Sequence, residues 1–400
     1  MSMLEASPRW TEGHIGIFDW RNVFRSDRLT VVLVLVLAVV GLMNLYSTDY
    51  PLASTAMDAG GQARTQLRNL LFACAVAAVI VCFDYRFLLS LAPLAYLITI
   101  GLLIYVEVRG YVAGGSQRWI DLGFTRLQPS EIAKISLIYM LAWYLGLIGE
   151  RIRKIPYLVL AFIIVGVPAV LIIMQPDLGT TLVLGPIALA MVWMAGCRLW
   201  HIASLGVLGV IAVGVIIAHV YGVVPYPESA PDLSDYQKTR IQSFFEPDAD
   251  PTGAGWHAMQ TRLAVGSGGM LGMGFRRGIQ THLKYVPEYK TDSIFVVLAE
   301  ENGFVGGMIL LGLFAALFSR GLILARDCPD MAGTLLGVGC VTMLFVHVFT
   351  NIAITIGLMP VTGLPLPFLS YGGTFYLTVM ICIATILSLN MRKGVPGRPV

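Results

Sequence analysis

Charged side chains are scarce in this sequence: Asp, Glu, Lys and Arg make up 13% of its 400 residues, roughly half the share of about 25% usual in globular chains. A chain so poor in charge cannot clothe itself in polar surface. Metal and redox signatures are missing as well. The six cysteines (Cys74, Cys82, Cys197, Cys328, Cys340 and Cys382) lie in apolar runs or short connectors with no C-x-x-C pair, and so read as small buried hydrophobes. The six histidines show no H-E-x-x-H or other ligand spacing, which leaves a zinc protease without support. No G-x-x-x-x-G-K-[ST] occurs, and Gly266-Ser267-Gly268-Gly269 lacks the frame of a serine nucleophile turn, so ATP hydrolysis and serine hydrolase chemistry are not indicated. Net charge is only +3 and the basic residues are scattered, which argues against nucleic acid as a partner.

Apolar residues are what the sequence has in excess. They make up 56% of it, with a mean hydropathy of +0.76. A bilayer core about 30 Å thick is crossed by about 20 helical residues. Ten apolar runs of about that size lie near 29–47, 68–83, 87–106, 131–148, 156–174, 178–196, 203–221, 293–325, 332–357 and 370–390. The second run is short. The eighth is long and carries Asn302-Gly303 as a break. The first follows a polar segment with Arg9, Arg21, Arg25 and Arg28, and reads as a retained span rather than a cleaved signal. The composition predicts an all-α polytopic membrane protein of about ten transmembrane helices, with a large, partly ordered extracytoplasmic loop between the seventh and eighth.

Basic residues set the orientation. Connectors on one side hold Arg86, Arg151, Arg153, Lys154, Arg198, Arg320, Arg326, Arg392 and Lys393, whereas the short loops on the other hold Arg64, Arg68, Arg109, Arg118 and Arg126. The bias places both termini in the cytoplasm. The chain then divides into a cytoplasmic N-terminal segment (1–28), seven helices (29–221), a periplasmic loop (222–291), three helices (292–390) and a cytoplasmic tail (391–400). The loop carries aromatic anchors, helical spacing at Trp256–Val265, and glycines at 266, 268, 269, 272 and 274 that mark tight turns.

Acids and bases within or beside apolar spans are costly, and each is a functional candidate. Glu131 and Lys134 stand three apart at the head of the fourth span, on one helical face. They either neutralise each other or meet a ligand. An outer loop with Gly114, Gly115, Arg118 and Trp119 precedes them, and Gln128-Pro129-Ser130 starts the helix. Asp292 stands where the long loop rejoins the bundle, and reads either as a first-turn carboxylate on the helix dipole or as a functional acid. Glu300 and Glu301 follow eight and nine residues on, about 12–13 Å deeper by helical rise, as possible partners for Lys134 or for arginines elsewhere. A transporter would also suit broken spans with intramembrane charges.

Five separated motifs resemble the SEDS family (shape, elongation, division, sporulation), on its elongation-type side. They are Tyr236-Gln237…Arg240-Ile241, Asp250-Pro251…Gly253-Ala254-Gly255 with Ala264–Gly269, Pro287-Glu288-Tyr289-Lys290-Thr291-Asp292…Glu300-Glu301, Gln175-Pro176-Asp177-Leu178-Gly179-Thr180, and Gly357–Gly373 with its Pro365-Leu366-Pro367-Phe368-Leu369-Ser370-Tyr371-Gly372-Gly373 end. The likeness runs from about Leu29 to Asn390. Met273 stands where relatives often carry Lys, and Lys290 where many have His; the first weakens a phosphate-binding role for the glycine segment.

The resemblance implies ten helices with both ends cytoplasmic, in a cytoplasmic (inner) membrane protein that polymerises lipid II into peptidoglycan glycan strands at the outer face. It implies a class B penicillin-binding protein as cross-linking partner. The family's catalytic aspartate corresponds to Asp292, and its polar pair in the fourth span to Glu131 and Lys134. Asp292 would then act as general base in an inverting displacement. Arg118, Trp119, Arg240 and Lys290 would join the pair in contacting substrate. A divalent metal ion, Mg or Mn, is compatible with the same chemistry, with Asp292 as its ligand instead of base. A flippase of the lipid-linked precursor and a scaffold for the partner are the alternatives.

Overall fold

A computed structural model describes residues 18, 20, 23, 26–49, 61–113, 116–121, 123, 126–175, 177–223, 235–246, 253–283, 285–286 and 288–391. Arg9, Arg21, Arg25, Gly114, Gly115, Pro176, Asp250, Pro251, Pro287, Arg392 and Lys393 lie outside the described residues, as do nearly all of the N-terminal segment and of the tail. The side chains of Tyr236 and Gln237 lie outside them too.

The helices are α1 (Arg28–Thr48), α2 (Gly61–Cys82), a short α3 (Tyr85–Ser90), α4 (Ala92–Arg109), α5 (Pro129–Ile148), α6 (Ile155–Met174), α7 (Leu178–Met194) and α8 (Leu199–Val220), followed by α9 (Asp235–Phe245), α10 (Ala254–Ser267) and α11 (Ile279–His282) in the long loop, and then α12 (Ile294–Arg326), α13 (Met331–Thr355) and α14 (Gly373–Asn390). Among the described residues nine of these are long and apolar enough to cross a membrane, and α7, at 17 residues, is a shorter apolar helix. These ten match the ten apolar runs one for one. The second run is longer than its hydropathy suggests: α2 has 22 residues because its first turns, from Gly61, are polar. The chain is a multi-pass helical membrane protein.

Helix starts follow local chemistry. Asp27 caps α1 by accepting from Thr30 N, Asp177 caps α7 through Thr180 N, and Asp330 caps α13 through Gly333 N. Proline occupies the first turn of α4, α5 and α6, where its missing N–H costs nothing. Buried residues concentrate on α13 and α14, which form the centre, while no described residue of α8 is buried. In the long loop, α9 packs on α10, and α10 on α12 and α13.

One short sheet departs from the all-helical expectation. Strands β1 (Tyr111–Ala113), β2 (Ser116–Asp121) and β3 (Arg126–Leu127) form an antiparallel sheet between α4 and α5, with Tyr111 opposite Trp119 and Asp121 opposite Arg126. Strands this short carry no readable alternation of apolar residues. Thr374 Oγ1 donates to Arg126 O at 2.9 Å and ties the sheet to α14.

The eighth span breaks at Gly303, with φ 64° and ψ −164° inside α12. The glycine segment of the loop fills that break. Met273 N donates to Glu300 O and Gly274 N to Glu301 O, both at 2.9 Å, while Phe304 N donates to Gly269 O at 2.9 Å and Val305 N to Met270 O at 3.1 Å. These bonds satisfy peptide groups that the interrupted helix leaves open. The approach requires glycine, since a Cβ on Gly272 would stand 2.1 Å from Glu301 O.

At the end of the bundle away from the long loop, Arg320 Nη2 and Nε bond Asp27 Oδ1 and Oδ2 at 2.5 and 3.1 Å. Those bonds hold the Asp27 carboxyl well below the usual carboxylate range. A depressed carboxyl contributes stability above its ordinary titration range and loses it as pH falls through the folded value. Asp27→Ala, which removes both cap and pair, should therefore lower stability at pH 7 by about 1–2 kcal/mol. Thermal unfolding in detergent tests this; equal midpoints at pH 7 would discount the contact.

Candidate active site

Asp292 sits just outside α12, whose N-cap is Ser293 and whose first turn contains no acid. The dipole reading of Asp292 as a first-turn carboxylate is therefore corrected: the helix starts at Ile294, two residues after Asp292. Two buried side chains hold the backbone here. Asn351 Nδ2 donates to Asp292 O at 2.7 Å, and Ser370 Oγ donates to Thr291 O at 2.6 Å. Asn351 belongs to α13 and Ser370 to a non-helical segment, 356–372, that connects α13 to α14 with Leu364, Leu366, Phe368, Leu369 and Ser370 buried.

The Asp292 carboxylate and the Arg240 guanidinium flank one point of that segment. A Cβ on Gly363 would stand 3.4 Å from Asp292 Oδ2 and 3.8 Å from Arg240 Nη1. Arg240 Nη1 also donates to Val361 O at 2.9 Å. Removal from water raises the Asp292 carboxyl to about 6, against the lowering charge of Arg240; Glu288 and Asp177 add to the rise, and a hydrogen bond from Thr291 opposes it.

Glu131 and Lys134 are both buried. Lys134 Nζ donates to Glu131 Oε1 at 2.8 Å and contacts His347 Nε2 at 2.9 Å, with the Phe375 ring 5.4 Å away. Lys134 is 0% exposed. No hydrogen bond or ion pair among the described residues joins this pair to Asp292. Nor does Lys134 pair with Glu300 or Glu301, an option left open by the sequence. Glu300 accepts from Gln280 N at 2.7 Å and from Thr281 N and Oγ1 at 3.2 and 2.8 Å, and Glu301 accepts from Ser47 Oγ. Both acids hold the long loop and α1 against the break in α12.

The other cations are spread around the same end of the bundle. Arg118 Nε donates to Gln175 O at 2.9 Å, and its Nη1 lies 3.8 Å from Asp177 Oδ1. Asp177 also accepts from Ser130 Oγ and Gln128 Nε2, each at 3.3 Å, so it joins the sheet to the heads of α5 and α7. Trp119 lies half-buried on β2. Lys290 Nζ is 3.4 Å from Asp49 Oδ1, and the same carboxylate accepts from Gln62 N and Ala63 N at the start of α2. Of the predicted cations, Arg240 alone flanks Gly363 together with Asp292.

Asn351, His347, Ser370 and Gly363 were not singled out as site residues from the sequence. A signal existed for two of them: His347, Asn351 and Thr355 recur every fourth residue in an apolar run, a polar stripe that a buried helix carries only for a reason. Among the described residues no three His, Cys, Asp or Glu side chains converge as a cage, so a Mg or Mn ion at Asp292 would take most of its ligands from substrate phosphates and water.

A carboxyl raised in the folded state opposes folding once it ionises. Asp292→Asn should therefore be at least as stable as the parent chain above about pH 6 and lose that advantage progressively as pH falls from about 6 to about 4. Thermal unfolding across that range checks this; a variant that melts earlier at pH 8 would contradict the burial described.

The profile of the FtsW/RodA/SpoVE "Cell cycle protein" family matches residues 27–394. The peptidoglycan glycosyltransferase MrdB of Escherichia coli K12 is 36% identical over 311 residues, covering 77% of this chain and 80% of that protein. Stage V sporulation protein E of Bacillus subtilis 168 is 35% identical over 376 residues, covering 91% and 96%. Among solved structures, a chain from a study of the structural coordination of polymerization and crosslinking by a peptidoglycan synthase complex superposes with a TM-score of 0.73 at 28% identity, covering 95% of this chain and 99% of that one. With a ten-helix bundle and a family profile that spans nearly its whole length, the chain belongs to the FtsW/RodA/SpoVE family, the SEDS family that its motifs resemble.

Proposed function

We propose that this chain is a peptidoglycan glycosyltransferase that polymerises lipid II at the outer face of the cytoplasmic membrane, in a RodA-like elongation role, with Asp292 as general base. The observation that carries the reading is the Asp292 carboxylate, partly withdrawn from water at the loop end of the bundle and set near Arg240. A base with a carboxyl near 6 is mostly ionised at neutral pH and still basic enough to take a proton, and such help is worth about 10²–10⁴-fold.

In the step proposed, an acceptor sugar hydroxyl attacks the anomeric carbon of the donor while Asp292 takes its proton. The bond from that carbon to the diphosphate oxygen breaks with inversion. The diphosphate departs as an anion without a protonating acid, unlike the leaving group of a glycosidase, and Arg240 meets its charge. Arg118, Trp119 and Lys290 line the same end and supply further substrate contacts; Glu131 and Lys134 act from the buried side. A polyprenyl tail keeps the substrate in the bilayer, since each buried CH₂ is worth about 0.8 kcal/mol.

The charge asymmetry of the connectors supports cytoplasmic termini. The likeness to a synthase-complex chain supports a class B penicillin-binding protein as partner. Glu300 and Glu301, which would suit a flippase, have a structural task at the α12 break instead.

Purified chain, with and without its partner, should convert lipid II into long glycan strands on a gel. Asp292→Asn should abolish them, and a folded variant that polymerises at the parental rate removes Asp292 from the chemistry. The rate should rise with pH through about 6 as Asp292 ionises. Arg240→Ala, which removes the lowering charge, should move that limb to higher pH and slow the plateau; an unmoved limb would separate the two residues.

A further inference from the structure

The buried pair Glu131 and Lys134 does not touch Asp292, yet hydrogen bonds from the two sides meet on adjacent residues, Pro365 and Leu364, of the 356–372 segment. The carbonyl of Pro365 can only accept, so His347 Nδ1 donates to it, at 3.2 Å. In a neutral imidazole the opposite nitrogen then carries the lone pair, and His347 Nε2 accepts from the Lys134 ammonium at 2.9 Å. The preceding carbonyl, Leu364 O, accepts from Asn351 Nδ2 at 2.7 Å, and the same amide donates to Asp292 O at 2.7 Å. His347 and Asn351 are four residues apart on α13, so they lie on one face a turn apart, and both are 0% exposed.

We propose that His347 is a positioning residue for glycosyl transfer, linking the buried Glu131–Lys134 pair to Asp292 by fixing the 356–372 segment at Pro365. The inference rests on the reading of Asp292 as base. It gives the buried pair a task that needs no contact with substrate. The segment held in this way is irregular backbone deep in the protein, tolerated there only while its carbonyls find donors. Pro365 has no N–H, so the Leu364–Pro365 peptide is held through the Leu364 oxygen that Asn351 grips, while the next peptide is held at both ends, by His347 on Pro365 O and by Ser370 Oγ on Leu366 N. The Phe375 ring, with its centroid 4.8 Å from that of His347, packs against the imidazole from α14. The side chain required at 347 accepts from an ammonium on one edge and donates to a carbonyl on the other. Histidine does both, and glutamine can; leucine does neither.

Polymerisation kinetics of the full chain on lipid II test this. His347→Leu should lower kcat by about 10²-fold, the scale of a misplaced catalytic group, with KM within about threefold. His347→Gln should keep kcat within about threefold of the parent. Lys134→Met should cost a similar factor in kcat, and the double variant Lys134→Met with His347→Leu should be no slower than the slower single, since both loosen the same hold on Pro365. Additive losses, a Lys134→Met effect confined to KM, or a fully active His347→Leu would each overturn the proposal. Should His347→Leu fail to fold, His347→Asn decides: too short to span both partners, it should lose about tenfold in kcat while glutamine does not, and equal activity of the two overturns the proposal. A parent chain inert on lipid II with its partner present would overturn the underlying reading, whereas an active parent with an active leucine variant overturns this inference alone.

Discussion

Asn351 donates one amide proton to the carbonyl of Asp292 and the other to the carbonyl of Leu364, and the loop end of the protein is organised around that pair of bonds. Within a bilayer-embedded bundle every peptide group has to find its partner in the protein. The 356–372 segment abandons helical bonding in the buried interior, so its carbonyls depend on side chains: Arg240 for Val361, Asn351 for Leu364, His347 for Pro365, and Gln66 for Ser370. Two of these residues also meet Asp292: Asn351 bonds its carbonyl, and Arg240 stands near its carboxylate. Backbone satisfaction and the geometry of the candidate base are one problem with one solution.

The break in α12 obeys the same constraint. Interrupting a helix at Gly303 exposes peptide groups on either side, and the glycine segment of the loop supplies the missing bonds. Glu300, fully buried, then accepts from the backbone at the start of α11. The long loop is thereby fastened to the head of the span that Asp292 precedes. A buried carboxylate with three donors is a stable way to place charge in a low-dielectric region, which explains two acids that are otherwise hard to reconcile with an apolar run.

Electrostatics at this end is divided. Arg118, Lys134 and Lys290 pair with Asp177, Glu131 and Asp49, whereas Arg240, held by Val361 O, flanks Gly363 with Asp292. Burial raises the Asp292 carboxyl and Arg240 restrains the rise, so the group stays near neutrality, where a base is most useful. A closer cation would have made it a weaker base, and loss of Arg240 would raise the carboxyl further.

The ten spans, the break at Asn302-Gly303 and the position of Asp292 between loop and helix were readable in order along the chain, because span length and local hydropathy are properties of contiguous residues. The family was readable for a similar reason, since its motifs are short and ordered. The sheet was not, because three brief strands pair through backbone that has no apolar rhythm. Partnerships were not readable either. Lys134 meets His347 across 213 positions and Glu301 meets Ser47 across 254, and Glu131 could be joined to Lys134 from sequence only because they are neighbours on one helix. Sequence alone determined which residues must be buried and which acids and bases are costly there; the packing of helices against one another decided which of those charges meet, because that depends on contacts between segments that the chain order does not bring together.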